Sequence, residues 1–124
     1  MPRFFLIIGA VAAGLAVSLG AFGAHGLSGR VTPERLETFK TGVLYHMVHA
    51  LALLVVSWVA TQWPGGAVHA AGYAFLAGLV LFSGSLYVLV LTDTAWLGAV
   101  TPFGGVAFLI GWGLLAWGVF NYDS

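Results

Sequence analysis

The feature that most constrains this chain is a set of long apolar runs that contain no charged residue. These runs cover residues 4–27, 41–92 and 94–122. A helix crosses the hydrocarbon core of a bilayer with about 20 apolar residues, so the middle run is long enough for two crossings. It breaks at Pro64-Gly65-Gly66, because Pro-Gly and Gly-Gly are turn signals. The sequence therefore predicts four membrane-spanning helices, over about 3–23, 42–62, 70–91 and 102–121.

Composition supports a membrane protein and excludes several other classes. Only 6% of the 124 residues are charged and 60% are hydrophobic, whereas a soluble domain has about 25% charged residues. The absence of cysteine excludes a disulfide scaffold and thiol chemistry, and a net charge of +0 disfavours nucleic acid as a partner. Since the apolar runs do not alternate with polar residues, helices are favoured over barrel strands. We therefore predict an all-α, four-helix transmembrane bundle that forms one domain over residues 1–124.

The few basic residues predict the orientation in the membrane. The 24–41 loop carries Arg30, Arg35 and Lys40, whereas the opposite side carries only Arg3. Because cytoplasmic loops are enriched in Lys and Arg, this loop is expected to face the cytoplasm. Four crossings then place both termini on the opposite side.

The polar loop also contains a helix-start signal. Thr-Pro-Glu at 32–34 combines a good N-cap, a proline suited to the first helical position and an early acidic residue. Apolar residues follow on one helical face, at Leu36, Phe39 and Val43. Glu37 and Lys40 are spaced to form an ion pair. The segment is either a short amphipathic helix at the interface, able to dock another protein, or the solvated first turn of the second span.

Polar side chains within the predicted spans gather toward the side of the 24–41 loop. Seven of them form a candidate polar cluster: His25, Tyr45, His49, Ser83, Ser85, Tyr87 and Thr101. Polar groups are costly in a bilayer and normally face a partner or a cavity. The cluster is therefore interpreted either as interhelical hydrogen bonds or as a site for a ligand or a proton relay.

His46 and His49 raise the possibility of a haem or metal site. Histidines three residues apart on a helix can hold a metal or an axial haem position. However, the predicted spans contain no Asp or Glu, and His25 would have to supply a third ligand. The chain also has no Ser-His-acid set, phosphate-binding loop or dinucleotide fingerprint. We therefore predict no catalytic residues, metal or cofactor, and keep the histidine site as an alternative.

Four blocks of sequence follow one another along the chain. They are GAFGAHGL at 20–27, YHMVHALALL at 45–54, LFSGSLY at 81–87 and LGAVTPFGG at 97–105. In order and spacing they resemble the domain-of-unknown-function 423 family, which includes small bacterial inner-membrane proteins and relatives of the mitochondrial transmembrane protein 256. The resemblance implies a multi-pass inner-membrane protein whose molecular activity is not established. His25 and His49 match the family pattern, whereas His46 stands where Gln is expected and Asp93 where Gly is expected.

The sequence is compatible with three functions. The first is a structural or accessory subunit of a larger membrane complex, such as a respiratory one, with the bilayer and other subunits or further copies as partners. The second is a carrier or binder of a lipid or quinone, with a pocket at the polar cluster. The third is a haem or metal protein that uses the histidines. The first is favoured, because the few polar loops leave much apolar surface to pack against lipid or partner helices.

Overall fold

A computed structural model describes residues 2–122, apart from the side chain of Ala24, so Met1, Asp123 and Ser124 lie outside the described residues. Its elements are α1 (Pro2–His25), α2 (Pro33–Gln62), α3 (Gly66–Gly78), a π-helical segment (Leu79–Gly84), α4 (Ser85–Thr92), a 3₁₀ helix (Ala95–Ala99) and α5 (Thr101–Phe120). The chain forms four helical rods long and apolar enough to cross a membrane, because α3, the π-helical segment and α4 run on as one rod. No strand occurs in residues 2–122, and the all-α prediction is confirmed.

Successive rods are antiparallel. The Ser57 hydroxyl near the end of α2 donates to the Pro2 carbonyl oxygen at 2.7 Å, whereas Gly23 at the other end of α1 lies against Phe39. The rod of α3 and α4 runs back along α2, so that the Ser83 hydroxyl reaches the Gly42 carbonyl oxygen. Helix α5 then lies along α3. The bundle is therefore an up-and-down arrangement in which α2 and α3 form the centre.

Glycines and aromatic rings interlock between α3 and α5. Gly78 lies under the ring of Phe108, and Gly111 lies under the ring of Phe75. A Cβ atom added to Gly111 would stand 2.6 Å from that ring. Small residues let helices approach closely in a membrane, where lipid gives no hydrophobic drive for association. The glycines of these two helices therefore set the distance between them.

Helix α1 contains two pairs of small residues at four-residue spacing, and the two pairs have different surroundings. Ala16 is buried and Gly20 lies against Val43, so this pair packs on α2. Ala10 and Gly14 are exposed, and a Cβ atom added to Gly14 would meet nothing within 4 Å. One of the two small-residue pairs in α1 therefore belongs to the bundle interior, and the other faces outward.

The amphipathic segment is not a separate helix. Residues 33–41 form the first turns of α2, which continues without a break through Gly42. Phe39 is fully buried in this stretch, and Tyr87 packs across Gly42. The N-cap prediction is confirmed, since the Thr32 side chain accepts from the Arg35 N–H at 3.2 Å. The predicted pair of Glu37 and Lys40 also forms, at 3.7 Å.

Helix α5 does not begin with a Thr cap as α2 does. Val100 is the N-cap residue, and Thr101 is already the first helical residue. The Thr101 hydroxyl is instead 2.6 Å from the Ser85 hydroxyl of α4. The 3₁₀ helix of residues 95–99 was not predicted, and it carries the chain from the end of α4 to this contact.

Asp93 ends α4 in a left-handed conformation, with φ of 53°. This explains why glycine suits the position, because glycine adopts positive φ without strain and aspartate is one of the few other residues that tolerate it. The Asp93 carboxylate also lies 3.2 Å from the Arg35 guanidinium. Helix termination and an ion pair to α2 therefore meet at one residue.

We expect Asp93→Gly to leave the free energy of unfolding within about 1 kcal/mol of the parent, because an exposed ion pair contributes little. Asp93→Val should cost about 1–2 kcal/mol, since a β-branched residue is strained at positive φ. Unfolding in mixed dodecyl maltoside and SDS micelles would measure both. Equal losses for the two variants would show that the ion pair, and not the backbone conformation, stabilises this turn.

Candidate functional site

The predicted polar cluster divides into separate hydrogen-bonded groups within the bundle. His49 is almost fully enclosed, with only 3% of its surface exposed. Its Nδ1 is 2.8 Å from the Tyr45 carbonyl oxygen, one turn earlier in α2. Its Nε2 accepts from the Trp112 indole N–H of α5 at 3.0 Å. Both bonds are satisfied by a neutral imidazole that carries its proton on Nδ1.

Aromatic rings enclose His49 on several sides. The imidazole stacks on the Phe108 ring with centroids 3.5 Å apart and planes 8° apart. Phe75 and Trp112 lie at 5.6 and 5.7 Å, and they contact each other edge-on. His49 is thus the polar centre of an aromatic cluster built from α2, α3 and α5. We refer to His49, Phe75, Phe108 and Trp112 as the His49 cluster.

A second group joins α2 to the π-helical segment and to α4. His46 Nδ1 is 2.8 Å from the Tyr87 hydroxyl. The Ser83 hydroxyl, in the π-helical segment, donates to the Gly42 carbonyl oxygen at 2.8 Å. Ser83 is 1% exposed, so this bond lies inside the interface. The third group is the contact of Ser85 with Thr101, which ties α4 to α5.

Two predicted members contribute no side-chain hydrogen bond to these groups. His25 ends α1 on an exposed surface, and its side chain makes no hydrogen bond to another residue within 2–122. Tyr45 contributes its carbonyl oxygen to His49, while its ring is 41% exposed and lies 4.8 Å from the Phe82 ring. The structure therefore does not bring His25 together with His49.

Family comparison gives this geometry its context. The model of a family described as a protein of unknown function, DUF423, matches residues 19–105. The chain belongs to the DUF423 family. All four blocks that carried the resemblance, from residue 20 to residue 105, lie within the match. The recognition of the family from sequence is confirmed.

Relatives of this DUF423 protein are named as membrane proteins. The UPF0382 membrane protein YwdK of Bacillus subtilis is 55% identical over 111 residues, which are 89% of this chain and 90% of that protein. A UPF0382 membrane protein of Staphylococcus aureus (strain bovine RF122 / ET3-1) is 44% identical over 120 residues, or 97% of this chain and 98% of its own length. No solved structure matches the chain significantly. The DUF423 chain is thus a membrane protein with four apolar helical rods.

Two residues of this DUF423 site were not among the candidates predicted from the sequence. Trp112 was not singled out, although a tryptophan inside a span needs a partner for its indole N–H. His46 was set aside because it departs from the family pattern, yet it bonds to Tyr87. The signal that pointed to both was the same, namely a polar atom placed well inside an apolar helix.

The chemistry open to the DUF423 interior is limited by these bonds. Within residues 2–122, every buried side-chain nitrogen or oxygen has a hydrogen-bonding partner. Both ring nitrogens of His49 are occupied, so ligation of a metal would require one bond to be displaced. In the same part of the chain, no three His, Asp or Glu residues are grouped to hold a metal ion. The bonds of His46 and His49 link α2 to α4 and to α5.

Two cavities of the DUF423 chain lie outside the His49 cluster. A groove of about 770 Å³ is bounded by the polar loop, the first turns of α2 and the end of α4. A smaller one of about 270 Å³ lies at the other end of the bundle, between the 62–66 turn and the end of α5. Neither is lined by His25, His49, Ser83 or Tyr87.

Proposed function

We propose that this chain is a non-catalytic accessory subunit of a larger assembly in the bacterial plasma membrane. One observation carries the proposal: the buried polar groups of the bundle are engaged with one another, as in the bonds of His49 to Trp112 and of His46 to Tyr87. A site for a substrate would leave donors or acceptors free to bind it. The interior is therefore organised to hold helices together.

The outer surface of α1 supports a role in assembly. Only 22% of its most apolar stretch is buried in the bundle. Ala10, Gly14 and Ser18 are exposed at four-residue spacing, and the Ser18 hydroxyl is turned back to the Gly14 carbonyl oxygen. Such a face lets a second helix approach closely, an advantage that is lost against fluid lipid. We assign this face of α1 to a transmembrane helix of another subunit.

The proposed orientation follows from the basic residues. Arg30 lies in the loop between α1 and α2, and Arg35 and Lys40 lie in the first turns of α2. Their excess over Arg3 favours a cytoplasmic position for the 24–41 loop and places the termini on the other side. Reaction of single engineered cysteines at positions 29 and 65 with an impermeant maleimide in intact cells would distinguish the two orientations.

We expect Gly14→Leu to break the assembly without unfolding the subunit, because a Cβ atom at this position meets nothing within 4 Å and the larger side chain fills the close-approach face. Native gel electrophoresis of dodecyl maltoside or digitonin extracts should show a shift from a large species to the free subunit. Gly113→Leu is the matched control, since Gly113 of α5 is equally open but lies between Leu109 and Trp117.

The proposal fails if the parent protein migrates only as a small homogeneous particle in several mild detergents. It also fails if Gly14→Leu and Gly113→Leu shift the large species equally. Mass spectrometry of the intact large species would identify the partner subunit, or reveal further copies of this chain in its place.

A further inference from the structure

The groove beside the polar loop has the composition of a binding site for a zwitterionic lipid headgroup. Its volume of about 770 Å³ lies within the range of small-molecule sites. Its walls carry two guanidinium groups and two carboxylates, contributed by Arg30, Arg35, Glu34 and Asp93. An anion-binding site would show an excess of basic groups, whereas these charges balance.

The four charges are not equivalent. The Arg35 guanidinium lies 3.2 Å from the Asp93 carboxylate. This ion pair links the α2 wall of the groove to its α4 wall. Arg30 is exposed and forms no ion pair with any residue in 2–122, and the same holds for Glu34. One cation and one anion thus remain available in the groove that holds the existing ion pair.

The position of the groove determines what can reach it. Helix α2 has 30 residues, or about 45 Å at 1.5 Å per residue, whereas a hydrocarbon core is about 30 Å thick. The first turns of α2 therefore extend into the headgroup layer. Leu91, 54% exposed on the α4 wall, continues the groove toward the apolar surface. A molecule held there would meet charges at its head and hydrocarbon along its tail.

We propose that this groove binds a glycerophospholipid whose headgroup carries both a phosphodiester and an ammonium group, such as phosphatidylethanolamine. The Arg30 guanidinium donates to the phosphate oxygens, and Thr32 and Thr38 line the same groove. The Glu34 carboxylate accepts from the ammonium group. The acyl chains leave past Leu91 along the outer face of α4. This site is separate from the α1 face assigned to assembly, so either can fail without the other.

The test uses the full chain, purified and delipidated in dodecyl maltoside. Dioleoylphosphatidylethanolamine should raise the melting temperature and should remain bound in native mass spectra. Dioleoylphosphatidylglycerol supplies the phosphate without the ammonium, dioleoylglycerol supplies the acyl chains alone, and inorganic phosphate and phosphoethanolamine supply the head alone. Each of these four probes is expected to bind at least about tenfold more weakly, the loss of roughly one charge-assisted hydrogen bond or of the tail contacts.

Variants locate the site. Arg30→Gln and Glu34→Gln should each weaken binding of the phosphatidylethanolamine about tenfold, while the melting temperature of the lipid-free protein stays unchanged. Lys40→Gln is the matched control, because Lys40 is a basic residue of the same helix that pairs with Glu37 and does not line the groove. Equal binding of phosphatidylglycerol or inorganic phosphate would overturn the proposal. So would an equal loss in Lys40→Gln and Arg30→Gln.

Discussion

Gly104→Ala is expected to lower the free energy of unfolding by about 2–3 kcal/mol, the upper part of the usual cost of overpacking. Gly104 lies in the first turn of α5, against the backbone of the π-helical segment. A Cβ atom there would overlap the Phe82 amide nitrogen and would stand 2.7 Å from the Leu81 carbonyl carbon. A rotating side chain could relieve such a clash, but backbone atoms cannot move aside without a shift of the whole helix.

Unfolding of each variant in mixed dodecyl maltoside and SDS micelles would measure this loss. Gly113→Ala is the control, because the same substitution in the same helix meets nothing within 4 Å. It should be neutral or should stabilise the protein by several tenths of a kcal/mol, since alanine is the better helix former. If both variants lose the same stability, the close approach of α5 to the third rod is not what the glycine provides.

The membrane fold could be read from the sequence because it depends on composition and spacing. Runs without charge must be helical in a bilayer, where the backbone has to satisfy its own hydrogen bonds. The Pro64-Gly65-Gly66 turn and the Thr32 cap are likewise local signals, and both occur as predicted. These features need no knowledge of which helix faces which.

The candidate site could be predicted only in part, because it depends on which helix faces meet. His49 lies near the middle of the bundle, since α2 starts at Pro33 and not near residue 42. Its partner Trp112 is 63 positions away in the chain, a pairing that no local pattern indicates. His25 ends α1 on the exposed surface and not in the interior.

The π-helical segment was also beyond local prediction. The segment Leu79–Gly84 joins α3 to α4 and contains no proline. Nothing in its sequence indicates a change from α-helical to π-helical structure. It coincides with the place where α5 comes closest, at Gly104, and where Ser83 reaches across to α2. The wider turn thus lies between contacts on two sides, and π-helical turns often mark such specialised positions.

His49→Ala is expected to lower the free energy of unfolding by about 3 kcal/mol. The substitution removes a ring stacked on Phe108 and leaves the Trp112 indole N–H without an acceptor. Truncating a large buried ring costs several kcal/mol through lost contacts and the remaining cavity, and an unpaired buried donor adds to that cost.

His69→Ala is the matched control, because His69 makes the same type of bond to a carbonyl four residues earlier, that of Gly65, but at an exposed position. Its loss should change the free energy of unfolding by less than about 0.5 kcal/mol. His49→Phe, Trp112→Phe and the double variant separate the hydrogen bond from the stacking. The double variant should be less destabilised than the sum of the singles by about 1 kcal/mol, since either single change already breaks the bond between α2 and α5. Strict additivity would show that His49 stabilises the bundle by its shape alone, and that the indole N–H finds another acceptor.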